Sequence, residues 1–346
     1  MKRLLNTLYV TADDAWLRKD GANIVVQVGE QERGRAPLHM LDGVVAFNRP
    51  GASPALMLAC AEAGITISFV TPNGRFEARV EGPRSGNVLL RRAQFRAADD
   101  PIRALAIVRG FVAAKTANQR TVVQRALRDH RDGMSEAERQ ALGGAEARLF
   151  DIARRMLAAN EIDVLRGLEG EAGFTYFGVF NALIRSDDPA FRFEGRSRRP
   201  PLDRTNCLLS FLYAMMGHDC RSALEAHGLD PQVGFLHTDR PGRASFALDL
   251  MEELRPVLAD RLVLSLINRR QVAADDFIVE EPGGVRMTDD ARKRVLVAWQ
   301  ERKREELRHP FFEETVPLGL VAYLQAQLLA RHLRGDLDGY PAFVWK

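Results

Sequence analysis

Residues 76–96 read FEARVEGPRSGNVLLRRAQFR, and the character of the chain changes within them. Up to Val80 short β-rich runs alternate with turns, whereas from Val88 onward the apolar spacing is almost wholly helical. The β-rich runs cover residues 7–10, 16–19, 23–28, 43–47, 65–70 and 76–80, and Asn73-Gly74 between the last two is a hairpin turn signal. One helix interrupts them, with Ser53 as N-cap and Pro54 at its first position. Beyond residue 87, apolar periodicities run over residues 88–131 and 145–185, and Ser135 and Glu138 have the spacing of a capping box. Phe277–Val279 and Val285–Met287 bracket a Gly283-Gly284 turn and predict a short hairpin inside the helical part. The expected architecture is α+β: a small N-terminal β-sandwich-like domain, residues 1–86, then a large, mainly α-helical domain, residues 87–346. No internal repeat or low-complexity tract interrupts this scheme.

A chain of 346 residues can bury a full core in two domains without covalent staples. Cys60, Cys207 and Cys220 are scattered, odd in number and without metal-ligand spacing, which fits free thiols in a reducing cytoplasm. At the start, Asn6 and Thr7 interrupt the apolar run and Asp13-Asp14 follow, so the segment reads as a first strand rather than a signal peptide. No stretch approaches the roughly 18 uninterrupted apolar residues of a membrane span. The net charge of +3 and pI near 8.9 are too mildly basic to argue for nucleic acid by themselves. Arginine far exceeds lysine, as high-GC coding alone would produce. It clusters at Arg84, Arg91, Arg92 and Arg96, at Arg196, Arg198 and Arg199, at Arg269 and Arg270, and at Arg302, Lys303 and Arg304. The Arg196, Arg198 and Arg199 group lies in a proline-terminated loop between two helices and is the cluster expected to meet DNA phosphates.

The chemistry starts at Leu165-Arg166-Gly167-Leu168-Glu169-Gly170-Glu171-Ala172. On a helix, Leu165, Leu168, Ala172 and Tyr176 form one apolar stripe; Glu169 projects from its middle and Glu171 points away. A buried unpaired carboxylate costs several kcal/mol, so Glu169 needs a cation, either an arginine or a metal. A second element, Val233-Gly234-Phe235-Leu236-His237, is an apolar run ending on a histidine. A third is the helix from Ser245 to Pro256, where Phe246, Leu250 and Leu254 make the core face and Asp249 and Glu252 share the opposite side. Two carboxylates and an imidazole can therefore converge, a donor set suited to manganese or magnesium. Each piece alone has a plainer explanation: a core ion pair, a structural histidine, a solvated acidic face.

Taken in order, LRGLEGEAGFTYFGVF at 165–180, RFEGRSRRPPLDRTNCLLSFLYAMM at 192–216, GLDPQVGFLH at 228–237 and SFALDLMEELRP at 245–256 resemble the CRISPR-associated spacer integrases, the Cas one family, of the subtype I-C kind. The resemblance covers essentially the whole chain, with GNVLLRRAQFR at 86–96 and the ending from Tyr340 to Lys346 as further matches. It implies a metal triad of Glu169, His237 and Glu252; Asp249, one turn before Glu252, is then expected to orient His237 or a metal-bound water, and Glu253, nearer the apolar boundary of the helix, to pair with an arginine. It also implies a homodimer formed through the N-terminal domain and assembly with a small ferredoxin-like partner, Cas two.

The expected reaction is phosphoryl transfer on DNA with Mg2+ or Mn2+ held by those three residues. Water as nucleophile makes a nuclease; a DNA 3′-hydroxyl makes an integrase, and only the resemblance selects the second. A general junction or repair nuclease would use the same ligands, and a silent DNA-binding scaffold would show no metal dependence. A zinc hydrolase fits poorly, since the set has one histidine, two hard carboxylates and no cysteine.

Overall fold

The computed structural model describes residues 6–345 apart from Asp13, Asn48, Arg49, Asn73, residues 83–87 and Pro282. The turn residue Asn73, the boundary residues 83–87 with Arg84, the first five residues and Lys346 therefore lie outside the described part. Contact clustering divides the chain into one unit of residues 1–85 with 289–297, and a second of residues 86–288 with 298–346.

The first unit holds strands β1 Thr7–Val10, β2 Ala15–Asp20, β3 Asn23–Val28, β4 Gln31–Pro37, β5 Gly43–Phe47 and β6 Gly51–Ala52. Helix α1 (Pro54–Glu62) follows, then β7 Thr66–Val70 and β8 Phe76–Val80. Two four-stranded sheets result, ordered β1-β5-β7-β8 and β4-β3-β2-β6. Their inward residues, among them Val10, Leu17, Ile24, Val44 and Ile67, share one core with Leu56 and Cys60 of α1. Ser53 caps α1 as expected, its hydroxyl accepting from Leu56 N at 3.3 Å. The β7–β8 pair is antiparallel, but β1, β5 and β7 are parallel, with α1 as the β5-to-β7 crossover. Strand β4 escapes sequence detection because QERGRAP is mostly exposed and carries no alternation.

The second unit holds α2 (Val88–Asp99), α3 (Pro101–Asp129), α4 (Glu136–Ala158), α5 (Ile162–Gly178), α6 (Phe180–Leu183) and α7 (Arg204–Ala226). Then come α8 (Ser245–Arg255) and α9 (Arg261–Asn268), separated by a π-helical turn, Pro256–Asp260. The helical periodicity of residues 88–131 is two helices. Asp100 stops one and caps the next, accepting from Ile102 N at 2.9 Å, with Pro101 at the first position. The 145–185 run is likewise broken at residues 159–161, where Arg109 of α3 donates to the freed carbonyl of Ala159 at 2.7 Å. Pro256 has no N–H to return to α8, which widens into the π turn there.

Hairpin β9 (Phe277–Val279) and β10 (Val285–Met287) forms as expected. Helix α10 (Asp289–Arg304), a second hairpin of β11 (Glu306–Arg308) and β12 (Thr315–Pro317), and α11 (Val321–Arg334) complete the elements. Helix α3 packs against α4, α5 and α8, and α8 is enclosed by α3, α7 and α11. No helix is long and apolar enough to cross a membrane among the described residues.

The Ser135–Glu138 capping box is complete, Glu138 N donating to Ser135 Oγ at 3.2 Å and Ser135 N to Glu138 Oε2 at 2.7 Å. Ser135→Ala should therefore lower stability in urea unfolding by about 1 kcal/mol without changing the slope; an unaltered midpoint would show that Arg185, which also reaches Glu138 at 2.8 Å, holds the helix start alone.

Candidate metal centre

Glu169 lies where the apolar stripe of α5 meets a cleft: Leu165, Leu168, Ala172 and Tyr176 are buried, while the Glu169 side chain keeps 31% of its surface. The cation beside it is Lys115, on the facing turn of α3. The Lys115 ammonium bonds Glu169 Oε1 and sits 2.6 Å from Glu252 Oε2 of α8. Arg255, one turn after Glu252, reaches Glu252 Oε1 at 3.1 Å. Burial would raise the Glu252 carboxyl, but Arg255, Lys115 and His237 outweigh it and hold the group well below the usual carboxylate range. Glu171 faces away, as expected, onto Arg148 and Arg155.

His237 ends a loop rather than a strand. The loop is gripped by Asp249, whose Oδ2 accepts from Phe235 N at 2.6 Å and Leu236 N at 3.0 Å, and whose Oδ1 accepts from His237 N at 3.0 Å. From the other side Arg166 of α5 donates to the Leu236 carbonyl at 2.9 Å. Gly234 is required here: a Cβ would stand 2.8 Å from Asp249 Oδ2 and 2.9 Å from the Ser245 backbone. Gln94 steadies the approach, donating to the Asp230 and Val233 carbonyls at 2.8 Å each. His237 Nδ1 lies 2.6 Å from Asp249 Oδ1, and because a carboxylate accepts, Nδ1 is the donor and the other ring nitrogen, Nε2, faces Glu252. That nitrogen is 4.0 Å from Glu252 Oε1.

The structure thus brings Glu169, His237 and Glu252 around one point, with Asp249 behind the histidine. Among the described residues no three His, Cys, Asp or Glu side chains close to coordination distance, because the Lys115 ammonium stands between the two carboxylates. The donor set itself fits a hard divalent ion: two carboxylates from separate helices and an imidazole held by a carboxylate.

Asp249 and Glu252, on the side of α8 away from Leu250, are buried too, because α3, α7 and α11 all pack on the helix. Two expectations are corrected. Among the described residues Glu253 pairs with no arginine. It accepts from Tyr340 Oη, from Gln325 Nε2 at 3.3 Å and from Phe343 N at 2.6 Å, and burial, only partly offset by those bonds, pushes its carboxyl up to about 7. In the DNA-facing arginine group, Arg196 is tied inward: it donates to Asn206 Oδ1 at 2.7 Å and Ser210 Oγ at 3.2 Å and covers the Tyr213 ring, while Arg198 and Arg199 are exposed. Arg302 and Lys303 are also internal, bonded to the Val257 carbonyl and to Asp219 at 2.8 Å each.

A cleft of about 710 Å³ opens beside Glu169, lined among others by Lys115, Gln119, Phe174, Arg198, Arg255 and Asp260. Gly170 and Gly173 of α5 leave its wall bare, a Cβ at either meeting nothing within 4 Å, and Phe174 at the wall is 83% exposed. Sequence reading missed Lys115, Gln119, Arg166, Tyr213 and Arg255. The one available signal was a lysine inside the buried stripe of α3 in a chain that otherwise prefers arginine.

The α+β fold carries a carboxylate-imidazole cluster on its helical unit, and comparison with known proteins gives the class of the chain. Residues 8–301 match the family model described as CRISPR associated protein Cas1. A Rhodospirillum rubrum protein named CRISPR-associated endonuclease Cas1 2 is 60% identical, with both chains covered over their full length. The fold resembles that of a casposase bound to integration product, with a TM-score of 0.84 at 20% identity over 99% of this chain and 95% of that one. It also resembles part of a Cas6-RT-Cas1–Cas2 complex, with a TM-score of 0.82 at 24% identity over 100% of this chain and 36% of that one. The chain belongs to the Cas1 family.

Replacing Asp249 by Asn turns an amide NH2 toward backbone donors, and the unfolding free energy should drop by about 2 to 3 kcal/mol; a loss within about 0.5 kcal/mol would mean that the loop is held by Arg166 instead. A second check concerns Asp260, whose carboxyl accepts from Tyr213 Oη at 2.6 Å; burial raises it to about 6 against the Tyr213 bond and the Arg255 charge. Its ordinary value is 3.8, so the stability it contributes is complete below that pH and lost as pH rises through about 6. The stability of Asp260→Asn relative to wild type should rise over that window and then level off, and a pH-independent difference would contradict the assignment.

Proposed function

We propose that this chain is a divalent-metal-dependent DNA endonuclease and integrase of CRISPR adaptation, joining captured DNA fragments to repeat DNA by transesterification. The observation that carries the reading is that Glu169 and Glu252 share one ammonium, with His237 Nε2 4.0 Å from Glu252 Oε1, beside a cationic, aromatic-edged cleft that Glu169 lines. Glu169, His237 and Glu252 would hold Mg2+ or Mn2+, which supplies Lewis acidity to a phosphate oxygen and to the leaving oxygen.

The remaining work falls to the protein. Asp249 keeps His237 in the tautomer that presents Nε2. Arg255 keeps Glu252 charged and in place, and is itself stacked over Tyr213 with its guanidinium carbon 5.0 Å from the ring centroid. Arg198 and Arg199 neutralise strand phosphates, Arg196 shapes the cleft wall, and exposed Phe174 offers a face on which a base can stack. A 3′-hydroxyl rather than water as nucleophile accords with the casposase bound to integration product, whose fold the chain shares. Partnership with a Cas2-type subunit accords with the Cas1–Cas2 complex. A homodimer formed through the N-terminal unit, the subtype I-C assignment and a cytoplasmic setting complete the proposal.

The test combines the protein, its small partner, a short DNA duplex and a supercoiled repeat plasmid, with and without Mn2+. Wild type should give strand-transfer product only with metal, and Glu169→Ala should give none while melting within a few degrees of wild type, since alanine suits a helix. Near-normal transfer by Glu169→Ala would sink the metal assignment. Hydrolytic cleavage without joining would favour a general junction or repair nuclease.

A further inference from the structure

We propose that Lys115 is an exchangeable resident cation of this centre. Its ammonium holds Glu169 and Glu252 together while no divalent ion is bound, and swings one turn along α3 to Gln119 when an ion arrives. This rests on the metal reading above. Lys115 is 6% exposed, and its ammonium contacts the two carboxylates, 2.6 Å from Glu252 Oε2 and bonded to Glu169 Oε1. With Arg255 also on Glu252, two cations already balance two carboxylates. A divalent ion cannot share that position with an ammonium, since like charges at such separations in a partly buried site repel strongly.

Of the two cations, Arg255 is the fixed one: its planar head lies over Tyr213 and against Glu252. Lys115 has a compact head on a flexible stem of four carbons. Its destination is one turn along the same helix. Gln119 lies at i+4 on the same face of α3, is 2% exposed, lines the same cleft, and has a buried Oε1 without a hydrogen-bond partner. A buried amide oxygen left unpaired calls for an explanation. An ammonium, with three donors and no acceptor, supplies the missing partner.

Titration calorimetry with Mn2+ alone, and thermal melting in EDTA, test this on wild type, Lys115→Met and Gln119→Leu. Lys115→Met should melt lower by several degrees in EDTA, its carboxylates now repelling, yet bind Mn2+ at least roughly tenfold tighter because no competitor must leave. Gln119→Leu should melt at or above wild type in EDTA and bind Mn2+ several-fold more weakly. If Lys115→Met fails to fold, Lys115→Gln is measured with the same expectation for affinity. Lys115 variants that bind Mn2+ no tighter than wild type, or a Gln119→Leu protein with unchanged affinity, overturn the exchange while the metal reading stands. Absence of Mn2+ binding by wild type itself overturns both.

Discussion

Among the described residues no lysine or arginine pairs with Asp249, yet it is completely buried, and this is tolerable only because its two oxygens are filled by three backbone N–H groups and one imidazole. Those donors all come from the segment ending at His237, which has no regular secondary structure to satisfy its backbone. The carboxylate thus folds the loop and aims the histidine in one act. Arg166, a turn before Glu169, pulls on the same loop through the Leu236 carbonyl. The imidazole is therefore suspended between the two helices that carry the acidic residues, and the separation of Glu169 from Glu252 follows from how α5 and α8 clasp that loop.

Three carboxylates within five positions of α8 meet three different electrostatic fates. Asp249 is held by dipoles, Glu252 by the charges of Arg255 and Lys115, and Glu253 by neutral donors from Gln325, Tyr340 and Phe343. Neighbours on one helix are driven apart by surroundings alone, Glu252 downward and Glu253 up to about 7. Such divergence lets adjacent acids do unlike work, one gripping a cation and the other locking the end of the chain.

Strong local signals made much of this legible in the sequence. The Ser53 and Ser135 caps and the change from strand to helix periodicity gave the order β-rich then helical, because each is decided by residues within a turn of one another. Glu169 announced itself as a carboxylate in an apolar stripe. What stayed hidden was set by distant packing: the parallel pairing of β1, β5 and β7, the enclosure of α8 on all sides, and the identity of the cation at Glu169. Lys115 is 54 positions from Glu169, and no periodicity links them. Arg196 shows the converse error, since a cluster of like charges in sequence need not be a cluster on the surface.

The tail from Tyr340 to Trp345 does more than end the chain. Asn118 of α3 donates to the Glu253 and Phe343 carbonyls and accepts from Trp345 N, while the Trp345 ring lies beneath Arg125 and Arg261. The Phe343 to Glu253 bond spans 90 positions. Glu253 therefore reaches its dry position on α8 only when the segment from Tyr340 to Trp345 docks, so this stretch of the helix is closed into the core by one of the most non-local contacts in the fold rather than by its own turn.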